Sequence, residues 1–500
     1  MPQAPLFKSV SLSPELMADL RRLNPWWEGK PVPPQPSTRR HMIKWIQRRL
    51  RARLAPIVVV RGPRQIGKTT SQLQMIADLL ASGIPNSHVL RVQFDDVHGL
   101  NPKTDPILRI VDWYEEHVLH KTLNEAAQSH EAVYLFFDEI QNIPRWASQL
   151  KFLIDASPAQ AVVTGSSALR IELGRDSLAG RITTIDVGML SLTEIAQFYG
   201  SEVGDPYITD NGIEQMMRLS FWRDLSRHGR EVAQVRDQVF GKFSSRGGYP
   251  IAHVQRDIPW EQLAEQLNEN VIRRVIQHDL RVGERGRRRD KQLLETVFRQ
   301  ACRYVGQAPD FATLAEEARG VLKGDVGRDR IRYYLRFLAD TLLIRLIEPL
   351  EIRLKKQRSN SKIILSDHSL RASWLQEYVP LAPDDLAKEP HLTSLAGRIA
   401  ESVVGMTFAS IFGLDVAYVP ERAPDLEVDF VLTIGTVRIP VEVKYQRKID
   451  ALRDTEGLRR FMEKAPNNAP FGLLITQTDE ASIPDPRIIA MPLSTLMLLR

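Results

Sequence analysis

Apolar and polar positions first alternate between two periods, then change character. "APIVVVRG" (55–62) is a run of consecutive apolar residues, which suits a strand buried on both faces. "HVLRVQFDD" (88–96), "AVYLFFDEI" (132–140), "QAVVTGSS" (160–167) and "RITTIDVGML" (181–190) read as four further strands. Between them the spacing is helical: about Lys68 to Ala81 forms one helix, and Ile107, Val111, Tyr114 and Val118 share a face of another. This βαβα alternation predicts a parallel sheet covered by helices. Upstream, "RRHMIKWIQRRLRARL" (39–54) reads as a basic amphipathic helix, and Trp26 and Trp27 read as a clamp holding an N-terminal arm to the body.

From 191 to about 300 the pattern is mostly helical, with a tight "RGGYP" (246–250) and a basic segment, "RVGERGRRRDK" (281–291). That segment could attract phosphate or be a solvated loop. Residues 309–350 read as a helix, a "KGDVG" turn, a second helix and a strand, with "EIRLKKQRSNSK" (351–362) as a polar connector. On the second helix Arg328, Arg332 and Arg336 form one stripe, opposite apolar Ile331, Tyr334, Leu335 and Leu338. The stripe suits a phosphate backbone and equally suits water. From about 385 mixed helix and strand return. "EVDFVLTIGTVRIPVEVKYQ" (427–446) reads as two strands turning at Gly435, with Glu427 and Asp429 on one face of the first and Glu442 and Lys444 on one face of the second. That arrangement is either a metal-assisted phosphodiesterase site or a plain solvated face.

With 500 residues the chain is too long for one ordinary core. The net charge of +6 favours a polyanionic partner over an acidic one. A single cysteine, Cys302, excludes an intramolecular disulfide and a Cys-rich zinc site. "MPQAPLFKSVSLSPELM" lacks a signal-peptide pattern, and no stretch has the uninterrupted apolar length of a membrane span, so a cytoplasmic protein is expected.

Two features carry chemistry. "GPRQIGKTT" (62–70) fits G-x-x-x-x-G-K-[ST], following an apolar strand and opening a helix. Gly62 and Gly67 let backbone N–H groups turn toward phosphates, Lys68 reaches the terminal phosphates, and Thr69, followed by Thr70, can ligate Mg²⁺. Asp138 and Glu139 end the third strand, at the sheet edge where ligands sit. Asp138 is the candidate Mg²⁺ partner, and Glu139 the candidate for orienting or deprotonating the attacking water.

These motifs, with "DEIQ", "TGSSALRIELGRDSLAGR" and "GGYP" in this order, resemble bacterial and archaeal AAA+ ATPases that carry a winged helix and a nuclease-fold domain of uncertain function. The resemblance spans about residues 20–450, although the leucine preceding the phosphate loop in such proteins is Val60 here. It implies an α/β chain: an N-terminal arm and basic helix (1–54), a P-loop parallel-sheet ATPase core (55–190), a helical lid (191–300), a winged helix (301–375) and a C-terminal α/β restriction-endonuclease-like domain (376–500). It also implies that Ser166 or Ser167 senses the γ-phosphate and that Arg181 meets phosphate. From the residues alone those serines could be a helix cap and Arg181 a surface residue.

Asp429, Glu442 and Lys444 are similar to a PD-(D/E)XK nuclease core, with Glu401 completing it and Gln446 following the lysine. In that reading Asp429 and Glu442 hold Mg²⁺, and the metal with Lys444 activates water. The implied cofactors are ATP and Mg²⁺. The implied partner is DNA, contacted mainly at its phosphate backbone, with no membrane, and self-assembly into a homo-oligomer is left open. The alternative is an ATP-dependent switch whose C-terminal domain binds without cleaving.

Overall fold

The computed structural model describes residues 11–53, 55–101, 104–165, 178–208, 212–278, 290–322, 324, 326–351, 360–421 and 427–500. The chain divides into two compact units, Met1–Pro63 with Gly67–Val187, and Arg64–Ile66 with Gly188–Arg500.

The first unit is built on five strands: β1 (Ile57–Arg61), β2 (Val89–Gln93), β3 (Tyr134–Asp138), β4 (Gln160–Gly165) and β5 (Ile182–Asp186). All neighbouring pairs are parallel and the order is β2-β3-β4-β1-β5. The apolar runs explain this, since Ile57, Val58, Val59 and Val60 are all buried, leaving neither face of β1 to water. Helix Lys68–Ala81 follows β1 at the predicted place. Because β4 lies between β1 and β3, the carboxyl ends of three strands meet where β1 delivers the phosphate loop. Basic helix Met42–Ala52 turns Met42, Ile43, Ile46 and Leu50 inward and contacts β1 and β5. Both tryptophans do clamp the arm: the indole N–H groups of Trp26 and Trp27 donate to the Val89 carbonyl at 3.0 and 2.9 Å.

The second unit begins with helices, among them Leu192–Phe198, Leu219–Glu231 and Ala233–Arg246. The "GGYP" turn is a packing device. A Cβ on Gly248 would stand 2.7 Å from Met189 Cβ and 3.1 Å from Asp367 Oδ2. The Gly248 N–H itself donates to that carboxylate oxygen at 2.6 Å. Gly247, at φ +74°, has Asp367 and Ser369 against its missing Cβ in the same way.

Helices Phe311–Leu322 and Arg328–Asp340 precede a two-stranded antiparallel sheet, β6 (Ile344–Ile347) and β7 (Lys362–Leu365). Ile331, Tyr334, Leu335 and Leu338 are buried, while Arg328, Arg332 and Arg336 are exposed, as the helical spacing requires. One boundary moves. Lys362 is not the last residue of a polar connector but the first of β7, a strand buried along its whole length.

The chain ends in a mixed sheet of β8 (Asp415–Val419), β9 (Val428–Ile434), β10 (Val437–Lys444), β11 (Gly472–Thr476) and β12 (Ile488–Pro492), ordered β12-β11-β10-β9-β8. β9 is antiparallel to β8 and β10, whereas β11 is parallel to β10 and β12. Helix Thr393–Ala409 precedes β8, and helix Glu456–Glu463 makes the crossover that a parallel β10–β11 pair needs. Both helices contact β10. Pro440 and Glu442 are therefore buried along with Ile439 and Val441, and the polar side of the hairpin is no solvated face. Among the described residues no helix is long and apolar enough to cross a membrane.

Candidate functional site

Asp138, at the end of β3, is fully buried and gathers its neighbours. The Thr69 hydroxyl, in the first turn of the helix after the loop, donates to Asp138 Oδ2 at 2.6 Å. The Thr164 hydroxyl, at the end of β4, donates to Oδ1, and the Glu139 N–H donates to the same oxygen at 3.1 Å. Gln72 Nε2 donates to Thr164 at 3.0 Å. Arg91 on β2 stands 3.7 Å from Oδ2 and is itself buried. Burial lowers the Arg91 guanidinium from its usual value, against the opposing charges of Asp138 and Asp96. The Lys68 ammonium donates to the carbonyls of Gly62 and Pro63 at 2.9 and 2.6 Å, folded over its own loop. Gly67 adopts φ +87° at the helix N-terminus, a conformation an L side chain rarely takes. Thr70 follows in the same first turn.

Glu139 sits at φ +51°, uncommon for a residue with a Cβ, and its carboxylate accepts from the Gln141 side chain. Arg181 forms a two-pronged ion pair with Asp155, its second bond at 3.0 Å. Contact with phosphate would require that pair to open. Ser166 and Ser167 lie outside the described residues, as does most of the 281–291 segment.

The second unit collects the other predicted group. Asp429 is on β9, Glu442 and Lys444 on β10, and Glu401 on the helix before β8. Asp429 Oδ2 accepts from the Val443 N–H at 2.8 Å. Glu442 Oε1 pairs with the Lys444 ammonium at 2.6 Å, while its Oε2 is buried without a hydrogen-bond partner. Glu401 Oε1 accepts at 2.5 Å from Lys362, which also stands 3.6 Å from Asp429 Oδ1 and 3.5 Å from Glu427 Oε1. Gln446 turns to Asp454 at 3.0 Å.

Four carboxylates face two ammonium groups in this cluster. Burial, then the charge of Asp429, pushes Glu401 and Glu442 each up to about 8. Burial alone would lower Lys362, but Glu401, Asp429 and Glu427 together hold it above its usual range. Lys444 is likewise raised, Glu442 and Asp429 outweighing burial. Among the described residues no group of three or more His, Cys, Asp or Glu side chains is arranged to hold a metal ion.

Residues 54–196 match the family model described as an AAA domain. With a phosphate loop joined to Asp138 by Thr69, that match decides the assignment. Residues 54–196 are a P-loop ATPase domain. Downstream of the ATPase domain, residues 238–378 and 396–496 match two models, each described as a domain of unknown function, DUF8612 and DUF4143. The chain is 25% identical over 396 residues to uncharacterized proteins of Mycobacterium bovis and Mycobacterium tuberculosis, covering 78% of this chain and 70% of each of theirs.

Similar solved structures include a Walker-type ATPase of Pyrococcus abyssi, at 12% identity, 69% of this chain, 99% of that chain and a TM-score of 0.38. A signal transduction ATPase with numerous domains from Pyrococcus horikoshii gives 12%, 75%, 49% and 0.26, and Drosophila ORC bound to DNA gives 15%, 75%, 96% and 0.24.

Three residues at these sites escaped the sequence reading. Thr164 and Arg91 were visible only as polar residues inside apolar strands, "VVTG" and "LRVQ". Lys362 stood at the join of a polar stretch and the short apolar run "KIILS".

Proposed function

We propose that this protein binds and hydrolyses ATP and that the ATPase domain controls how the C-terminal region engages DNA. One observation carries the nucleotide part: the Thr69 hydroxyl and Asp138 carboxylate converge at 2.6 Å beside the phosphate loop. Two hard oxygen donors at a strand end and a helix start suit Mg²⁺. When bound, Mg-ATP supplies the phosphoryl group and a Lewis acid. Lys68, now on the Gly62 and Pro63 carbonyls, would meet the terminal phosphates, Thr69 and Asp138 would hold the metal, and Glu139, braced by Gln141, would orient or deprotonate water.

The DNA part rests on the exposed Arg336 and its neighbours Arg328 and Arg332. Those two already face Asp310 and Asp329 at 3.4 Å, so the stripe is partly neutralised. The two helices with the β6–β7 sheet support reading 301–375 as a winged helix. The gathering of Asp429, Glu442 and Lys444 on a mixed sheet, with Glu401 on the helix packed against it, supports reading 376–500 as nuclease-like. The remaining divisions proposed are an arm and basic helix (1–54), an ATPase core (55–190) and a helical lid (191–300). Of cleaving and merely binding DNA, the ion pairs of Lys362 favour binding, as a switch that ATP turns.

The test is multiple-turnover ATP hydrolysis with and without plasmid, linear and branched DNA, following both phosphate release and DNA integrity in Mg²⁺. Lys68→Ala should abolish tight ATP binding, and DNA affinity should fall steeply with salt. Hydrolysis that persists in Lys68→Ala would remove the nucleotide assignment. DNA binding that ignores salt would remove the phosphate-backbone contact.

A further inference from the structure

We propose that Lys362 is the resident cation of the C-terminal acidic cluster, so that Glu401 and Asp429 hold the protein's own ammonium rather than a divalent metal ion. The inference rests on the nuclease-like reading of 376–500 only for which ion would otherwise be there.

Position comes first. Lys362 is 1% exposed, and its strand is tied down on several sides. The Leu365 N–H donates to Ser402 Oγ at 2.9 Å, on the helix that carries Glu401. The Tyr418 hydroxyl on β8 donates to the Asn360 carbonyl, two residues before Lys362. Beyond β6, the Leu350 N–H bonds to the Tyr418 carbonyl at 2.8 Å, and the Tyr418 N–H to the Glu348 carbonyl at 3.2 Å. This is a fixed strand residue, not a surface lysine that has wandered into a pocket.

The coat around the ammonium is suited to a monovalent organic cation. Glu401 Oε1 lies at 2.5 Å, the Asp429 carbonyl at 3.4 Å, Glu427 Oε1 at 3.5 Å and Asp429 Oδ1 at 3.6 Å. The rings of Tyr418 and Phe430 stand 5.2 and 5.3 Å away, within cation–π range. Aromatic faces attract an ammonium but are not oxygen ligands for Mg²⁺, which takes oxygen at about 2.0–2.1 Å in an octahedron. Any divalent ion bridging Glu401 and Asp429 Oδ1 would have to share the volume that the Lys362 nitrogen fills.

Two further carboxylate oxygens turn elsewhere. Asp429 Oδ2 is taken by the Val443 N–H, and Glu442 Oε1 by Lys444. The cluster is thus split into one set around Lys362 and another around Lys444. Glu442 Oε2, buried and without a partner, is the atom by which the proposal is most exposed to refutation.

The experiment titrates Mn²⁺ into nucleotide-free full-length protein, with free Mn²⁺ read by electron paramagnetic resonance. Wild type and Asp429→Asn should bind Mn²⁺ alike, because Asp429 holds no metal. Lys362→Met should gain one saturable equivalent, and Lys362→Met/Asp429→Asn should lose it again. Lys362→Arg, which keeps a cation in place, should behave as wild type. A saturable wild-type equivalent that disappears in Asp429→Asn would overturn the proposal. That comparison stands even if Lys362→Met fails to fold. DNA binding on the same preparations separates the two claims. Binding that survives EDTA is the expected result, since neither the arginine stripe nor Lys362 needs a metal, whereas binding that EDTA abolishes and Mg²⁺ restores counts against the ammonium. No binding in either condition sinks the DNA reading while leaving the Mn²⁺ result to decide the cation.

Discussion

Replacing Asp138 by alanine should do more than stop ATP hydrolysis; it should loosen the first unit. The carboxylate is fully buried and accepts from Thr69, Thr164 and the Glu139 N–H, with the buried Arg91 guanidinium 3.7 Å away. Removing one member of a buried ion pair leaves the other uncompensated, at about 3–5 kcal/mol. Asp138→Asn keeps the shape and one acceptor but loses the charge, for about 1.5–3 kcal/mol, the worth of hydrogen bonds to a charged group. Adding Arg91→Met to Asp138→Asn should recover part of that loss, since the stranded cation goes too. Hydrogen exchange at the amides of β1, β3 and β4 reads this unit apart from the rest of the chain. The expected order of protection is wild type, then the double variant, then Asp138→Asn, then Asp138→Ala. If Asp138→Ala matched wild-type protection within about 1 kcal/mol, the carboxylate would not be the keystone of this network. If the double variant were weaker than both singles by their sum, Arg91 and Asp138 would not be coupled.

Three further outcomes are expected. Glu139→Gln should retain ATP and fail to turn it over; hydrolysis at the parental rate would show that Glu139 does not serve the water. Gly248→Ala should destabilise the second unit by about 1–3 kcal/mol through overpacking, because its Cβ would meet Met189 at 2.7 Å, and an unchanged denaturant midpoint would contradict that contact. The second unit should lose stability as pH rises. Glu401 and Glu442 are raised from 4.5 to about 8, so between those values the folded state binds more protons than the unfolded one. Their contribution is complete below about 4.5 and is lost as pH passes 8, with a slope of at most about 1.4 kcal/mol per pH unit for each group. Glu401→Gln should flatten the profile, and a profile rising over that window would refute the assignment.

What the sequence disclosed depended on whether a signal was local. The strand β1, the loop after it and helix Lys68–Ala81 are contiguous, so one motif specifies all three, and the helix falls where its periodicity put it. The buried face of helix Arg328–Asp340 was legible for the same reason. Thr164 and Arg91 were not, because their importance comes from the order β2-β3-β4, which sets strands far apart in sequence beside Asp138. Strand β10 is legible in the alternation of the second half of 427–446. A two-residue period reports only that faces differ, though, and cannot report that both are buried, as Val441 and Glu442 show.

Lys362 shows where such reading stops. A lysine after "SNS" has the look of a linker residue, and the general rule that lysine stays in water supports that look. The rule fails when the partner charges come from elsewhere in the chain. Here Glu401 is 39 positions away and Asp429 is 67. The same physics then bears on the carboxylates. Asp429, Glu442 and Lys444 have the spacing of a metal-dependent core, but spacing specifies which atoms can meet, not which cation they meet. An ammonium delivered on a buried strand alters the chemistry open to those carboxylates without altering a single motif position. Two chains with identical motif residues could therefore differ in metal dependence through one residue outside the motif, and for this chain that residue is Lys362.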